Sequence, residues 1–232
     1  MKTTLIATLA TVLATTAFAQ VTNPNFDVGL SGWTFVGDAA VRDGAAYLTT
    51  ATSTLPGDDG GSVFNFSGND TVDSFTLEGF AGLTQGALDP DRGNTIFAHE
   101  GSAIKQTFNV VVGDFVGFSW QLFTNEASGN DYAFVVLNGV LMTLGTSAGA
   151  SPAGTYGFDE KTGVGNFSST VFTSNQTITL TIGVVDAGFD GSVTSALRID
   201  TVTVPEPRNY ALLGIAAAFG VHLLVRRRSR LS

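Results

Sequence analysis

Hydrophobic and polar residues alternate along several stretches of the chain with the period of a half-buried β-strand. In one stretch the residues expected on the buried face are Ile104, Gln106, Phe108 and Val110. In the next, after a break at Gly113-Asp114, they are Val116, Phe118, Trp120 and Leu122. The pattern predicts two consecutive strands, and the short break predicts that they pair as antiparallel neighbours.

A β-hairpin is predicted where two apolar runs meet at Asn138-Gly139 in DYAFVVLNGVLMTLG. This residue pair accepts the positive φ angles of a type I′ turn. Two later strands are predicted by the same alternation. They contain Thr177, Ile178, Thr179, Leu180, Thr181 and Ile182, and then Leu197, Arg198, Ile199 and Asp200.

Many short strands, glycine-rich turns and almost no capped helical pattern predict an all-β fold, a two-sheet antiparallel sandwich of jelly-roll type. Two stretches have the composition of loops, residues 84–94 and residues 145–166. The second stretch is long, and long loops at the ends of a sandwich either bind ligands or serve as mobile connections. Trp120 lies in an alternating strand and is predicted to be core, whereas Trp33 is open to a core or a sugar-stacking role.

The net negative charge of residues 20–204 excludes some classes of binding partner. Residues 20–204 contain nineteen acidic side chains and five basic ones, a net charge of −14. Nucleic acid and anionic lipid are poor partners for such a surface. The chain has no cysteine, so disulfides, thiolate metal sites and a cysteine nucleophile are all excluded.

The first nineteen residues have the order of features found in a secretory signal peptide. Lys2 supplies the positive charge, residues 5–16 form a short apolar core, and Ala17-Phe18-Ala19 matches the small-x-small cleavage pattern. Cleavage between Ala19 and Gln20 is therefore predicted, with the folded ectodomain spanning residues 20–203.

The last part of the chain, residues 204–232, combines a rigid motif, an apolar stretch and a basic end. Pro205 and Pro207 restrict Val204 and Glu206 to extended backbone. Residues 210–225 carry no formal charge and would span about 24 Å as a helix, close to the ~30 Å of a bilayer core. A short transmembrane helix is predicted, with the cytoplasmic stop-transfer residues being Arg226, Arg227, Arg228 and Arg230.

These three features in this order resemble the PEP-CTERM family of sorting signals. The resemblance covers about 30 of the 232 residues. It implies recognition of Pro205, Glu206 and Pro207 by an exosortase, a membrane-embedded processing enzyme of Gram-negative bacteria. It also implies a transient inner-membrane anchor, with the ectodomain outside the cytoplasm, and delivery to the cell surface or extracellular matrix, commonly in organisms that make exopolysaccharide. Arg208 departs from the small polar residue that often follows the motif.

The ectodomain is similar to the β-sandwiches of other PEP-CTERM proteins, through EGSAIKQTFNVVVGDFVGFSWQLFTNE, NDYAFVVLNG and TSALRIDTVTVPEP. Its opening, NPNFDVGLSGWTF, is similar to the first strand of jelly-roll carbohydrate-binding modules. That second resemblance implies a structural calcium ion between the first and last strands, and the matching residues are Asn25, Asp27 and Asp200. These side chains are equally typical of turns.

Two functions are compatible with these observations. The first is a non-catalytic surface or matrix protein that binds exopolysaccharide. The alternative is a secreted glycoside hydrolase using Glu100 and Glu126 as paired carboxylates. The first is favoured by the sorting tail and because the single ectodomain histidine, His99, has no recognised nucleophile motif near it. DPDRGN at residues 89–94 lacks the downstream glutamate of a calcium loop and is interpreted as a turn.

Overall fold

The computed structural model describes residues 21–52, 63–92, 95–126, 129–188 and 193–204. One helix, α1 (Ser74–Ala81), follows the fourth strand, and a 3-10 turn spans Ser147–Gly149. In chain order the strands are β1 (Thr34–Val36), β2 (Asp38–Arg42), β3 (Ala45–Thr49), β4 (Val72–Asp73), β5 (Ala98–Val110), β6 (Gly117–Thr124), β7 (Tyr132–Leu137), β8 (Val140–Thr146), β9 (Ser151–Thr155), β10 (Phe158–Lys161), β11 (Gly165–Ser168), β12 (Gln176–Ala187) and β13 (Ser195–Ile199).

The strands form two antiparallel sheets. Sheet A has the order β1-β5-β12-β7-β8, with β4 also paired to β5. Sheet B has the order β2-β3-β13-β6-β10-β9, with β11 also paired to β6. The eight strands of the jelly roll are, in chain order, β3, β5, β6, β7, β8, β10, β12 and β13. With these numbered one to eight, their spatial order is 1-8-3-6 in sheet B and 2-7-4-5 in sheet A. This interleaved order is the jelly roll, so the predicted two-sheet sandwich is confirmed.

The main core lies between the two sheets. Phe108, Ile178, Leu180 and Ile182 approach it from sheet A, and Trp120, Leu122, Leu197 and Ile199 approach it from sheet B. The predicted strands in these regions are confirmed, and so is the type I′ hairpin, in which Asn138 and Gly139 have φ angles of 50° and 79°.

The predicted pairing of β5 with β6 is wrong. β5 pairs with β1, β4 and β12, whereas β6 pairs with β13, β10 and β11 in the other sheet. The connection crosses the end of the sandwich, where the amide N–H of Gly113 donates to Phe172 O (2.9 Å). Alternation shows which face of each strand is buried, and both strands do bury that face in the same core, but alternation does not identify the neighbour.

The prediction of a loop over residues 145–166 is also wrong. This stretch holds the end of β8, the 3-10 turn, β9, β10 and the start of β11. Its glycines serve close packing as well as turns: a Cβ at Gly145 or Gly165 would lie 2.5 or 2.3 Å from ring atoms of Trp120. The other predicted loop, residues 84–94, has neither helix nor strand in its described part, which ends at Arg92.

Each sheet also has an apolar outer face, and each outer face has a cover. The helix cover, formed by α1 and residues 82–92, buries Leu77 and Leu88 against Phe134 and Val136 of sheet A. The loop cover, residues 63–69, packs Phe64 and Phe66 against Tyr47 and Phe123 of sheet B. α1 was not predicted, although Asp73 caps its N-terminus by accepting from Thr76 N (2.9 Å) and Gly82 ends it at φ 73°.

We expect Gly165→Ala to destabilise the fold by about 1–3 kcal/mol, because the added methyl group would overlap the buried indole of Trp120. Gly163→Ala is the matched control, since a Cβ there meets no atom within 4 Å. Urea unfolding of both variants measures the difference. Equal stabilities would contradict the close packing of Trp120 against β11.

Candidate functional site

An exposed tyrosine marks the outer face of sheet B. Tyr156 is 47% exposed, and its ring meets the buried rings of Tyr47 and Phe123 edge to face, with centroids 5.6 Å away in each case. Edge-to-face packing of this kind fixes the position of a ring. The protein therefore holds one aromatic ring in place while leaving much of it accessible to solvent.

The turn that carries Tyr156 is unusual for this residue type. Tyr156 and Gly157 have φ angles of 57° and 87° and connect Thr155 to Phe158 in the hairpin of β9 and β10. The Asn138-Gly139 turn has nearly the same angles, but with the asparagine that this conformation favours. A bulky residue at positive φ costs on the order of 1–3 kcal/mol, and such costs are found mainly at functional positions.

A row of polar side chains crosses the sheet beside Tyr156. Tyr47, Arg198 and Gln121 are register partners on β3, β13 and β6. The Arg198 guanidinium donates to Asp200 Oδ1 (2.7 Å), and Gln121 Nε2 donates to Thr162 O (2.7 Å). The pair of Arg198 and Asp200 is only partly buried, so both charged groups reach solvent at this surface.

The hydroxyl of Tyr47 lies under this row. It is buried and makes no hydrogen bond of normal length to the described residues, and its polar neighbours are the side chains of Tyr156 and Arg198. Burial raises the pKa of Tyr47 well above its usual range, and the neighbouring side chain of Tyr156 raises it further. Tyr47 therefore contributes to the surface as a buried support for Tyr156 and Arg198.

The loop cover forms the wall of this surface. The Arg42 guanidinium lies 3.8 Å from the centroid of the Phe66 ring, which in turn packs against Tyr47 at 5.8 Å. The buried carboxylate of Asp38 fixes the wall by accepting from Phe66 N (2.8 Å), Ser67 N (2.6 Å) and Ser67 Oγ (2.6 Å). We define the sheet B site as Tyr156, Tyr47, Arg198, Asp200, Gln121 and this wall.

The three residues predicted to bind calcium lie near the two ends of the ectodomain, Asn25 and Asp27 before β1 and Asp200 directly after β13. Asp200 forms the ion pair with Arg198, whereas Asn25 and Asp27 are exposed in the N-terminal segment. The two segments lie side by side, since Val202 N donates to Pro24 O (2.9 Å), and the calcium site stays a prediction. Across the described ranges, no three His, Cys, Asp or Glu side chains are arranged to hold a metal ion.

Glu100 and Glu126, the predicted alternative catalytic pair, have separate environments. Glu100 lies opposite Asp186 in the ladder of β5 and β12 and accepts from Thr71 Oγ1 (2.6 Å). Glu126 is 2% exposed and accepts from the amide N–H groups of Asn130 (3.0 Å) and Asp131 (2.8 Å) and from the Ser147 hydroxyl. These bonds use the Glu126 carboxylate to hold the turn between β6 and β7.

A buried group of carboxylates lies at this same end of the sandwich. Asp131 is fully buried; its Oδ1 accepts from Ala187 N (3.0 Å), and its Oδ2 makes no hydrogen bond of normal length to the described residues. Burial raises the pKa of Asp131 well above its usual value, and the charges of Asp186 and Glu126 raise it further. The folded protein therefore favours a protonated Asp131.

Both tryptophans are core residues. This confirms the prediction for Trp120 and shows that Trp33 has the core role of the two roles left open for it. Trp33 is 5% exposed, packs against Phe26 and donates from Nε1 to Asn23 O (3.3 Å). Tyr156 was not predicted to be a site residue. The sequence feature that could have identified it is the Tyr-Gly pair, because a two-residue hairpin turn requires positive φ angles that tyrosine disfavours.

The predicted processing residues lie outside the described part of the chain. This applies to Ala19 and Gln20 at the cleavage site, to Pro205, Glu206 and Pro207, to the helix over 210–225, and to Arg226, Arg227, Arg228 and Arg230. None of the helices in the described ranges has the length and apolar character needed to cross a membrane.

Two of the solved structures to which this chain is similar are carbohydrate-binding modules. TmCBM61, solved in complex with β-1,4-galactotriose, is 16% identical, with 82% of this chain and 99% of that chain covered and a TM-score of 0.37. A CBM4 module is 10% identical, with 79% and 97% covered and a TM-score of 0.35. Scores this low do not carry an argument about function. Comparison with protein-family models and with curated proteins gives no match.

We expect the stability of the protein to fall as the pH rises from mildly acidic values. Because the folded-state pKa of Asp131 lies above its ordinary value of 3.8, the folded state holds a proton that the unfolded chain releases. The stabilisation is complete below that ordinary value and is lost as the pH rises through the folded-state pKa. One such proton changes the free energy of unfolding by at most about 1.4 kcal/mol per pH unit.

Asp131→Asn provides the control, since it is neutral and nearly identical in shape. Urea unfolding between pH 4 and pH 8 should give a flatter pH dependence for this variant than for the unmodified protein. Because the charges of Asp186 and Glu126 act on Asp131, the difference between the two slopes reports Asp131 together with its interaction with these two carboxylates. If the free energies of unfolding of the two proteins changed with pH by the same slope, the raised folded-state pKa of Asp131 would be contradicted.

Proposed function

We propose that this protein binds carbohydrate without catalysis, on the sheet B site. The observation that carries the proposal is Tyr156, an exposed ring held by two buried rings on a turn that disfavours its residue type. Sugars present apolar C–H faces that pack on aromatic rings, and hydroxyl groups that need donors and acceptors nearby. The sheet B site offers both kinds of surface side by side.

The polar row supports recognition of hydroxyl groups. Arg198 provides donors, Asp200 provides acceptors, and the Gln121 amide provides both. Because Arg198 and Asp200 neutralise each other, the site suits a neutral sugar better than a charged one. The row runs across the strands of an open sheet, so its shape suits an extended saccharide chain.

The alternative of a glycoside hydrolase gains no support from Glu100 and Glu126. Glu126 is buried and its carboxylate is occupied by the turn that it holds. General acid and base groups must reach the bond that is cleaved. The two glutamates accordingly play no part in the proposed function.

For the tail we propose processing and sorting by an exosortase, supported by the Pro205-Glu206-Pro207 motif, the apolar stretch and the arginines that follow. In this proposal the chain is exported through its signal peptide and held transiently in the inner membrane of a Gram-negative bacterium. It is then released or transferred to the cell surface or extracellular matrix. The exopolysaccharide of such a matrix is the proposed ligand of the sheet B site.

We expect Tyr156→Asn to weaken glycan binding about tenfold or more, through the loss of the stacking ring. Its stability should be unchanged or slightly higher, because asparagine tolerates the positive φ of this turn. A glycan array followed by calorimetry on the best ligand measures the affinity, and urea unfolding measures the stability.

Phe75→Asn is the matched control. Phe75 is also an exposed aromatic residue (66%), but it lies on α1, which covers sheet A. This variant should bind glycans as the unmodified protein does. Binding that survives Tyr156→Asn, or binding lost equally in both variants, would rule out the sheet B site.

For the tail, we expect mass spectrometry of the protein from its native host to show a C-terminus that lacks the apolar stretch and the arginines. Pro207→Ala should leave the tail attached, because the stiff extended motif is then disrupted. An unmodified protein that still ends at Ser232 would contradict exosortase processing. That result would not bear on the proposal that the sheet B site binds carbohydrate.

A further inference from the structure

A cavity of about 480 Å³ lies beside the helix cover, on the side of the sandwich opposite to the sheet B site. Residues 82–87 and Arg92 form one wall, and Gly139 and Leu141 of the β7 to β8 hairpin form the other. Its volume lies within the ~300–1,000 Å³ typical of small-molecule sites. The lining mixes backbone groups, the Thr84 and Gln85 side chains, and apolar surface.

The frame of this cavity is held by buried groups. Glu78 is 2% exposed and accepts from the amide N–H groups of Gly86 (3.0 Å) and Leu88 (2.9 Å). The Tyr132 hydroxyl donates to the carbonyl oxygen of Leu88, and Asp89 Oδ1 accepts from Ala98 N (2.9 Å). The nearby carboxylates are therefore turned inward, and the wall is formed before any ligand arrives.

Arg92 differs from the other basic side chains of the described ranges. Arg42 lies over Phe66, Lys105 lies over Phe80, Arg198 pairs with Asp200, and Lys161 also has a partner. The exposed side chain of Arg92 makes no hydrogen bond, ion pair or ring contact with any part of the chain that the structure describes. Its backbone has a φ of 57°, a conformation that an arginine rarely adopts.

We propose that this cavity binds the carboxylate of an acidic sugar residue, a uronate, through Arg92. The guanidinium fork matches a carboxylate with two parallel hydrogen bonds. The backbone groups, Thr84 and Gln85 are suited to the hydroxyl groups of the same ring, and Leu141 is suited to its C–H surface. A domain with a net charge of −14 repels polyanions in general, so binding of a uronate requires a specific cation of this kind.

The test uses the exported protein and three probes, the trimers of galacturonate, glucuronate and mannuronate, each beside its carboxyl-reduced neutral form. At least one uronate trimer should bind at least tenfold more tightly than its neutral form, as measured by calorimetry. Amide NMR signals of residues 84–87 and 92 should shift on binding. Arg92→Gln should reduce the affinity about tenfold or more, whereas Arg92→Lys, which keeps the charge and loses the fork, should reduce it less.

Lys161→Gln is the charge-matched control and should leave uronate binding unchanged. The inference is overturned if no uronate trimer binds, if the neutral forms bind equally well, or if Arg92→Gln has no more effect than Lys161→Gln. Tyr156→Asn separates this site from the sheet B site, and uronate binding should survive it. Loss of uronate binding in Tyr156→Asn would assign the acidic ligand to sheet B and would overturn the second site.

Discussion

The two sheets of this jelly roll are apolar on both faces, and the rest of the structure follows from the need to cover the outer ones. A buried carboxylate holds each cover: Asp38 of β2 joins the loop cover to sheet B, and Glu78 of α1 joins residues 86 and 88 to the helix within the helix cover. Asp38 accepts four hydrogen bonds, one from Thr49 Oγ1 (2.5 Å) and three from residues 66 and 67 of the loop cover. Glu78 accepts two from the helix cover. In a chain without cysteine, charge-assisted bonds to backbone N–H groups fix segments that a disulfide would otherwise secure.

Both proposed binding surfaces lie at the rims of these covers. The sheet B site begins where the loop cover ends, so the same Asp38 that anchors Phe66 also positions the wall beside Tyr47. The cavity of Arg92 is bounded by the helix cover that Glu78 anchors. Irregular segments on a rigid sheet are common places for ligand binding. A protein with one surface on each side of the sandwich could join two saccharide chains, and its avidity would then exceed either single affinity.

The fold class could be predicted from the sequence, whereas the residues of the sheet B site could not, and both outcomes have physical reasons. Alternation identified β5, β6, β12 and β13 because their core-facing side chains are apolar, with Gln106 of β5 as an exception. It could not identify their neighbours, since pairing depends on contacts between residues far apart in sequence. Thr181 shows a second limit. The alternation of β12 predicts that Thr181 faces solvent, yet it is fully buried because the helix cover lies over the outer face of sheet A. The alternation within one strand does not show that such a cover exists.

Composition misled most where glycine was interpreted as a sign of a loop. Gly145 and Gly165 lie in strands on either side of the Trp120 indole, where any larger residue would overlap the ring. A glycine chosen for close approach and a glycine chosen for flexibility are identical in sequence, and they differ only in what surrounds them. Residues 145–166 were therefore predicted to be a loop, although they hold the end of β8 in sheet A and then β9, β10 and the start of β11 in sheet B.

The hairpin turns at Asn138-Gly139 and Tyr156-Gly157 show how a local rule can expose function. Asn138-Gly139 satisfies the turn, and the Asn138 side chain further accepts from Thr179 N (2.9 Å), so every local preference agrees with the fold. Tyr156-Gly157 meets the same backbone requirement with a ring that gains only edge contacts and remains half exposed. Packing against Tyr47 and Phe123 offsets part of the strain, but a buried ring would offset more. The position of Tyr156 is best explained by a contact with something outside the chain.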